Sequence, residues 1–253
     1  VMIDLHAHIV PGVDDGARSL SDALEMARMA AKSGVTILAA TSHGEFSHKD
    51  PGEYLRLYRE RLLLLRRKAR EEGIPLKIVS GMEILLEERT VACAGEYRLP
   101  SLHAGRWSLV EFPFDITGRQ ARMLLDAMLR KGYHLILAHP ERYDFVKKDP
   151  GCVREIAGDR VLLQINKGSL LRELGERSFQ TADWLVSRGL ADLIASDAHD
   201  PVLRTPDLGG IRDAVELRYG RQTAAKLLWR TPAKILKDAD LFGFHPSTTT
   251  RIF

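Results

Sequence analysis

The chain has 253 residues, 45% of them hydrophobic and 28% charged, a balance that excludes a disordered or fibrous chain. At this length about 70–75% of the unfolded surface can be buried, so a core forms without disulfide staples. The formal charge of +3, with no basic run interleaved with aromatics, argues against nucleic acid as a partner; the mild basic excess suits an anionic substrate such as a phosphate ester.

In chain order, short apolar runs alternate with amphipathic stretches. Strands are predicted at 2–5, 36–41, 76–81, 107–110, 135–138, 161–165 and 190–195. Several are apolar on both faces, as parallel strands covered by helices are. Helices are predicted at Leu20–Lys32, 51–72, 118–131 and 178–188, each followed by a glycine stop at Gly34, Gly73, Gly132 and Gly189. Further helices are expected at 207–219, 221–228 and 232–238, and the polar end at 247–251 is expected to fray. The arginines between Arg56 and Arg70 alternate with leucines at helical spacing and read as a solvated face. About seven β–α repeats imply one domain over 1–253 built on a parallel sheet, either wound into a barrel or left open.

Cys93 and Cys152 stand alone, without a Cys-x-x-Cys spacing, which points to a reducing compartment. The N-terminal stretch has no charged region followed by an apolar one, and no apolar run approaches the ~20 residues that span a bilayer. The expectation is a cytoplasmic protein with no direct membrane insertion.

The ends of the strands carry the chemistry. The first runs into His6-Ala7-His8 and then Asp14-Asp15-Gly16; the second ends at His43, the third at Glu83 and the fourth at Glu111. The fifth ends at His139 and the last at Asp197-Ala198-His199. In parallel α/β folds these C-terminal ends share one rim. Imidazoles and carboxylates are ligands for divalent metals, and the period-2 spacing of His6 and His8 turns both rings to one side. Taken singly, each has an ordinary structural explanation: a hydrogen-bonded histidine, a turn at Asp14-Asp15-Gly16, or a solvated terminus at Glu83 or Glu111. Taken together, some nine candidate ligands exceed one four-coordinate zinc and suggest two or three ions. His48, His103, His134 and His245 lie away from strand ends and are read as structural or surface residues. A Cys-x5-Arg signature would need arginine at 99 or 158, where Leu99 and Gly158 stand, so a covalent thiol mechanism is not expected.

These segments carry a resemblance. The stretch from His6-Ala7-His8 to Asp14-Asp15-Gly16, then Thr41-Ser42-His43, Gly81-Met82-Glu83-Ile84 and Glu111-Phe112-Pro113, resembles the polymerase and histidinol phosphatase (PHP) superfamily. So do Ala138-His139-Pro140-Glu141-Arg142-Tyr143, Gln164-Ile165-Asn166, and Ala195 to His199 with Arg204. More closely, the series resembles bacterial manganese-dependent protein-tyrosine phosphatases of capsule and exopolysaccharide synthesis. The resemblance implies a distorted (β/α)7 barrel with His6, His8, Glu83 and Asp197 on one ion. It further implies Glu83 bridging to a second ion held by Glu111 and His139, and a third held by Asp15, His43 and His199; Asp15 is preferred over Asp14 because it directly precedes the glycine. Arg142 and Arg204 match the family's phosphate-binding arginines. Mn2+ is the implied ion, with Fe, Zn, Co or Mg as alternatives, and a tyrosine kinase tail the implied partner. His199 or His43 is expected to assist the leaving group. The family's second-motif histidine pair is reduced here to His43-Gly44, which bears on local loop shape or substrate choice. Lys167 is expected at the surface, or close enough to the rim to touch phosphate. A small-ester phosphatase of histidinol-phosphatase type and a non-catalytic metal-binding module are the alternatives.

Overall fold

A computed structural model describes residues 1–44, 51–96 and 98–241. The expectations for His48, His245 and the 247–251 end lie outside the described residues. Nine strands are present among them: β1 (Met2–Ala7), β2 (Val35–Ala40), β3 (His43–Gly44), β4 (Lys77–Ser80) and β5 (Glu83–Leu85) come first. β6 (Trp107–Glu111), β7 (His134–Ala138), β8 (Val161–Asn166) and β9 (Leu193–Ala195) follow. The helices are α1 (Leu20–Lys32), α2 (Pro51–Glu71), α3 (Glu88–Cys93), α4 (Gly118–Arg130) and α5 (Asp144–Lys148). After them come α6 (Lys167–Leu170), α7 (Glu176–Ser187), α8 (Gly209–Tyr219), α9 (Arg221–Ala225) and α10 (Thr231–Leu241). The expected 221–228 helix is α9 running into a π turn at Lys226–Arg230.

Local chemistry explains the well-formed helices. Ser19 caps α1 by accepting from the Asp22 amide, and Gly34, at φ 95°, ends the turn after it. Thr117 and Gln120 form a capping box on α4, whose buried Ala121, Leu125 and Met128 recur at helical spacing. On α2, Leu55, Tyr58, Leu62, Leu65 and Ala69 face the core while most of the arginines stay in solvent, as the leucine–arginine alternation predicts.

Every strand pair is parallel. One sheet has the order β1-β2-β4 and the other β3-β5-β6-β7-β8-β9. Beyond β9 the chain returns to β1: the Asp197 amide donates to the His6 carbonyl, and the His8 amide donates to the Ala198 carbonyl, each at 2.8 Å. The expected second and third strands appear as β2 and β4, and a break follows each, so His43 and Glu83 open short strands of their own instead of ending long ones. The break has a visible cause. The Tyr58 hydroxyl, inserted from α2, donates to the Ala40 carbonyl at 2.8 Å and accepts from the Gly81 amide at 3.1 Å. Those two backbone groups are thereby satisfied by a side chain instead of a ladder. A Cβ on Gly81 would stand 2.7 Å from Leu102 and 2.9 Å from Thr41, so the narrow passage needs glycine. Counting β2 with β3 and β4 with β5, there are seven strand positions, the distorted (β/α)7 layout expected.

The core has two parts. The larger lies between strands and helices, and includes Met26, Leu38, Leu135 and Leu163. The smaller gathers Ile3, Leu5, Ala39, Val79, Leu109, Ile136 and Leu193 from six strand positions, with Ile235 and Leu236 of α10 beside Trp107. α10 packs against the Leu102–Ala104 turn that precedes β6, toward the end remote from the strand C-termini. The strand C-termini form the opposite rim. No helix among the described residues is long and apolar enough to cross a membrane.

Candidate metal centre

All nine candidate ligands meet at that rim. His6 and His8 come from the end of β1, where the register with β2 shifts between Asp4 and Ala7, an irregularity that re-aims side chains. His43 and Glu83 open the paired strands β3 and β5, and Glu111 ends β6. His139 follows β7, Asp197 and His199 follow β9, and Asp15 sits in the loop after β1. Three ligand groups are compact, with one atom per residue and all atoms within 4.8 Å of one another: His6, His8 and Glu83; His8, Asp15, His43 and His199; His43, Glu83 and Glu111. Asp197 adds Oδ1 at 3.4 Å from His6 Nε2 and 3.5 Å from His8 Nε2. His139 Nε2 lies 3.0 Å from Glu83 Oε1 and 3.8 Å from Glu111 Oε2.

Glu83 is the hub. Its carboxylate is only 1% exposed and stands within 3.3 Å of His6, His8, His43 and His139, so it is no solvated terminus. His43 is shared between two sides, with Nδ1 3.0 Å from Glu111 Oε1 and Nε2 3.4 Å from Asp15 Oδ1.

Do these residues fit a metal? His6 Nδ1 lies 2.8 Å from Gln164 Oε1, and His8 Nδ1 lies 2.8 Å from Asp14 Oδ2. Each acceptor fixes the N–H on Nδ1, leaving Nε2 with a lone pair. The two Nε2 atoms are 3.2 Å apart, among oxygens of Glu83 and Asp197. Lone pairs and carboxylate oxygens converging in a buried space need positive charge between them, and a divalent ion supplies it. The proton equilibria say the same. Burial works against a charged His6, yet Glu83 and Asp197 prevail and raise its pKa to about 9. Burial likewise opposes ionisation of Glu83, but the charge on His6 and the bond from His139 hold its carboxyl well below the usual range.

Asp14 and Asp15 have separate positions. Asp14 Oδ2 holds His8 and also accepts from the His43 amide at 3.0 Å, while Asp15 Oδ1 faces His43 and His199 Nε2 at 3.4 and 3.5 Å. Gly16 follows because a Cβ there would lie 2.1 Å from the His8 carbonyl oxygen. Asp14→Asn is expected to weaken divalent-metal affinity about 10- to 100-fold, the usual cost of removing an orienting partner of a histidine ligand. Competition with a fluorescent chelator measures it; wild-type affinity would remove Asp14 from that role.

Two site residues hold backbone geometry that non-glycine residues rarely adopt, His139 at φ 36° and Asp197 at φ 51°. Left-handed conformations at such positions cost on the order of 1–3 kcal/mol each and persist where surrounding contacts impose them. For Asp197 those contacts are plain. Its Oδ2 accepts from Asn166 Nδ2 and from Arg204 Nη2, both at 2.6 Å, and Arg142 Nη1 lies 3.5 Å away. Both arginines therefore stand at the mouth, and the Arg142 guanidinium lies 4.4 Å over the Phe114 ring.

Other residues at the rim have distinct environments. Burial and the facing His8 push the His199 pKa down to about 4, which favours the neutral ring, whose Nδ1 lies 3.0 Å from the Asp197 carbonyl oxygen. His43 is shifted the other way: burial opposes its charge, but the bond to Glu111 and the nearby Glu83 raise its pKa. Lys167 is neither a surface residue nor a phosphate contact. It is 5% exposed, and its ammonium donates to the Thr205 carbonyl, the Thr205 hydroxyl and the Asp207 carbonyl, tying down the segment after Arg204. Glu141, fully buried, accepts from the Asn166 amide and the Ser169 hydroxyl and so ties the Arg142 turn to β8. Its only sequence signal was a carboxylate flanked by His139 and Arg142. His134 packs edge-on against Trp107, as a structural residue does.

Comparison with known proteins adds independent findings. The sequence model of a family described as capsular polysaccharide synthesis, CpsB/CapC, matches residues 2–237. The tyrosine-protein phosphatase YwqE of Bacillus subtilis is 31% identical over 256 residues, covering 96% of this chain and 100% of the relative. The tyrosine-protein phosphatase CpsB of Streptococcus pneumoniae is 30% identical over 245 residues, covering 94% and 99%. A crystal structure from work on these two proteins, described as unique metal-dependent tyrosine phosphatases, superposes with a TM-score of 0.77 at 30% identity over 95% of this chain and 93% of the other.

Proposed function

The chain belongs to the CpsB/CapC family of capsular polysaccharide synthesis, and from that membership we propose that it is a metal-dependent protein-tyrosine phosphatase. The observation that carries the proposal is the pair Arg142 and Arg204 at the mouth of a buried imidazole–carboxylate cluster, both reaching the same oxygen of Asp197. Guanidinium forks match the oxygens of a phosphoryl group, and the cluster beneath them fits divalent ions.

In this assignment His6, His8, Glu83 and Asp197 would hold one ion, Glu83 with Glu111 and His139 a second, and Asp15, His43 and His199 a third. Mn2+ is the proposed ion, from the resemblance to manganese-dependent phosphatases; the imidazole and carboxylate donors also suit Fe, Zn, Co or Mg. When bound, the ions supply Lewis acidity toward the phosphoryl group and activate water at neutral pH. The chain's own groups do the rest. Arg142 and Arg204 bind and orient the non-bridging oxygens, and Gln164 and Asp14 keep the His6 and His8 protons on Nδ1. A tyrosine phenolate, with a pKa near ~10, leaves more readily than an alkoxide and asks less of any proton donor.

The substrate proposed is phosphotyrosine in the tail of a bacterial tyrosine kinase or a related capsule-synthesis protein. A cytoplasmic location fits the two free thiols. Neither thiol carries a Cys-x5-Arg signature, and burial pushes Cys152 up to about 11, with Asp149 and Glu155 adding to it. The Cys93→Ser/Cys152→Ser double variant is expected to retain wild-type turnover, and loss of activity with the fold intact would reopen thiol chemistry.

The deciding experiment compares p-nitrophenyl phosphate, a phosphotyrosine peptide and histidinol phosphate, with Mn2+ and after chelation. Chelator-sensitive hydrolysis led by the phosphotyrosine peptide is expected. No turnover of any ester with Mn2+ present overturns the phosphatase proposal, and preference for histidinol phosphate overturns the substrate.

A further inference from the structure

Large apolar side chains exposed on helices, such as Leu63, Met123 and Leu217, are scattered and ordinary. Those beside the two arginines are not scattered. Val202 and Leu203, 78% and 82% exposed, immediately precede Arg204. Phe114 is 42% exposed, lies under the Arg142 guanidinium, and has its ring centroid 5.9 Å from that of His139.

The turn that displays Val202 and Leu203 is braced. Asp200 Oδ1 accepts from the amides of Val202 at 2.7 Å and Leu203 at 2.6 Å, and its Oδ2 accepts from the Arg204 amide at 3.2 Å. The Arg204 carbonyl in turn accepts from the amides of His199 and Asp200. Lys167 fixes the chain just beyond, at Thr205 and Asp207. Two apolar side chains held in solvent on a fixed turn lose hydrophobic stabilisation that a docked partner restores. Arg142 and Arg204 converge on Asp197 Oδ2, so Phe114 beneath Arg142 and the exposed Val202 and Leu203 just before Arg204 in the chain neighbour the two arginines of one site.

We infer that this apolar rim is a docking surface for the polypeptide around a phosphotyrosine, with Phe114 against the tyrosine ring and Val202 and Leu203 against apolar residues flanking it. The inference rests on the phosphatase proposal and deepens it, since a small phosphate ester has no atoms that reach the turn. Charge and shape agree: a dianionic phosphate goes to the arginines, while the ring and its neighbours meet carbon.

Two variants test it. In Val202→Ser/Leu203→Ser, the ratio of kcat/KM for a phosphotyrosine peptide with apolar flanking residues to that for p-nitrophenyl phosphate is expected to fall about tenfold, equivalent to about 1.4 kcal/mol of lost binding. In Phe114→Leu, KM for p-nitrophenyl phosphate is expected to rise about threefold or more while the inhibition constant of inorganic phosphate stays put. An unchanged ratio in the first variant overturns the peptide surface. A rise in the phosphate inhibition constant that accounts for the whole KM change means Phe114 acts only through Arg142, and overturns its ring contact. If the first variant changes the sedimentation coefficient of the free protein without changing the ratio, the turn joins two copies of the chain and the inference fails. In each of these outcomes the wild type remains a phosphatase; a wild type inert toward every ester removes the phosphatase proposal itself, and this inference with it.

Discussion

Glu83→Gln is expected to lower kcat/KM for the phosphotyrosine peptide on the order of a thousandfold, since bound metals supply several kcal/mol and each 1.36 kcal/mol is a factor of ten. No other carboxylate in the site faces so many imidazoles. Glu83 Oε1 stands 3.2 Å from His6 and 3.0 Å from His139, and Oε2 stands 3.2 Å from His8 and 3.3 Å from His43. The amide keeps the volume but removes the negative charge and replaces one acceptor oxygen with a donor. Four rings would then share a cavity without their common counter-charge. Metal content by atomic emission should fall alongside activity, with the circular dichroism spectrum unchanged. A variant with full metal content and wild-type kcat/KM would displace Glu83 from the centre of the site.

Arg204→Lys is the second large effect expected, about a hundredfold or more in kcat/KM, the scale seen when one preorganised donor to a developing oxyanion is removed. The Arg204 guanidinium uses Nη2 on Asp197, leaving the rest of its fork for a phosphoryl group. A lysine ammonium is one point charge. It can serve Asp197 or the phosphate with good geometry, and it cannot present two parallel N–H groups to both. Arg142→Lys is expected to cost less, because Arg142 stands 3.5 Å from the same oxygen, against 2.6 Å for Arg204. Steady-state kinetics with inorganic phosphate as competitor separates the two. Equal losses in both variants, or none for Arg204, would count against this division of labour.

How much of this was legible beforehand depended on whether the signal was local. The apolar runs at 135–138 and 161–165 and the capped helix Leu20–Lys32 came out close to their expected bounds, because strand burial and helix caps are written in neighbouring residues. The breaks that create β3 and β5 were not legible. They depend on Tyr58, which enters from a helix on another part of the chain and takes the backbone groups of Ala40 and Gly81.

The candidate site divides along the same line. The sequence by itself determined which candidate groups would meet: His6, His8, Asp15, His43, Glu83, Glu111, His139, Asp197 and His199 fall at or near strand ends, and parallel strands share one rim. Only the tertiary structure decided what each can do there. It separated Asp14, which orients His8, from Asp15, which faces His43 and His199. It set His199 where burial and His8 disfavour its charged form and turned Lys167 inward onto Thr205 and Asp207. It also laid Phe114 under Arg142 and left Val202 and Leu203, just before Arg204, exposed. A residue's type and place along a strand are local properties, whereas charge state, hydrogen-bond partner and exposure are set by atoms that arrive from elsewhere in the fold.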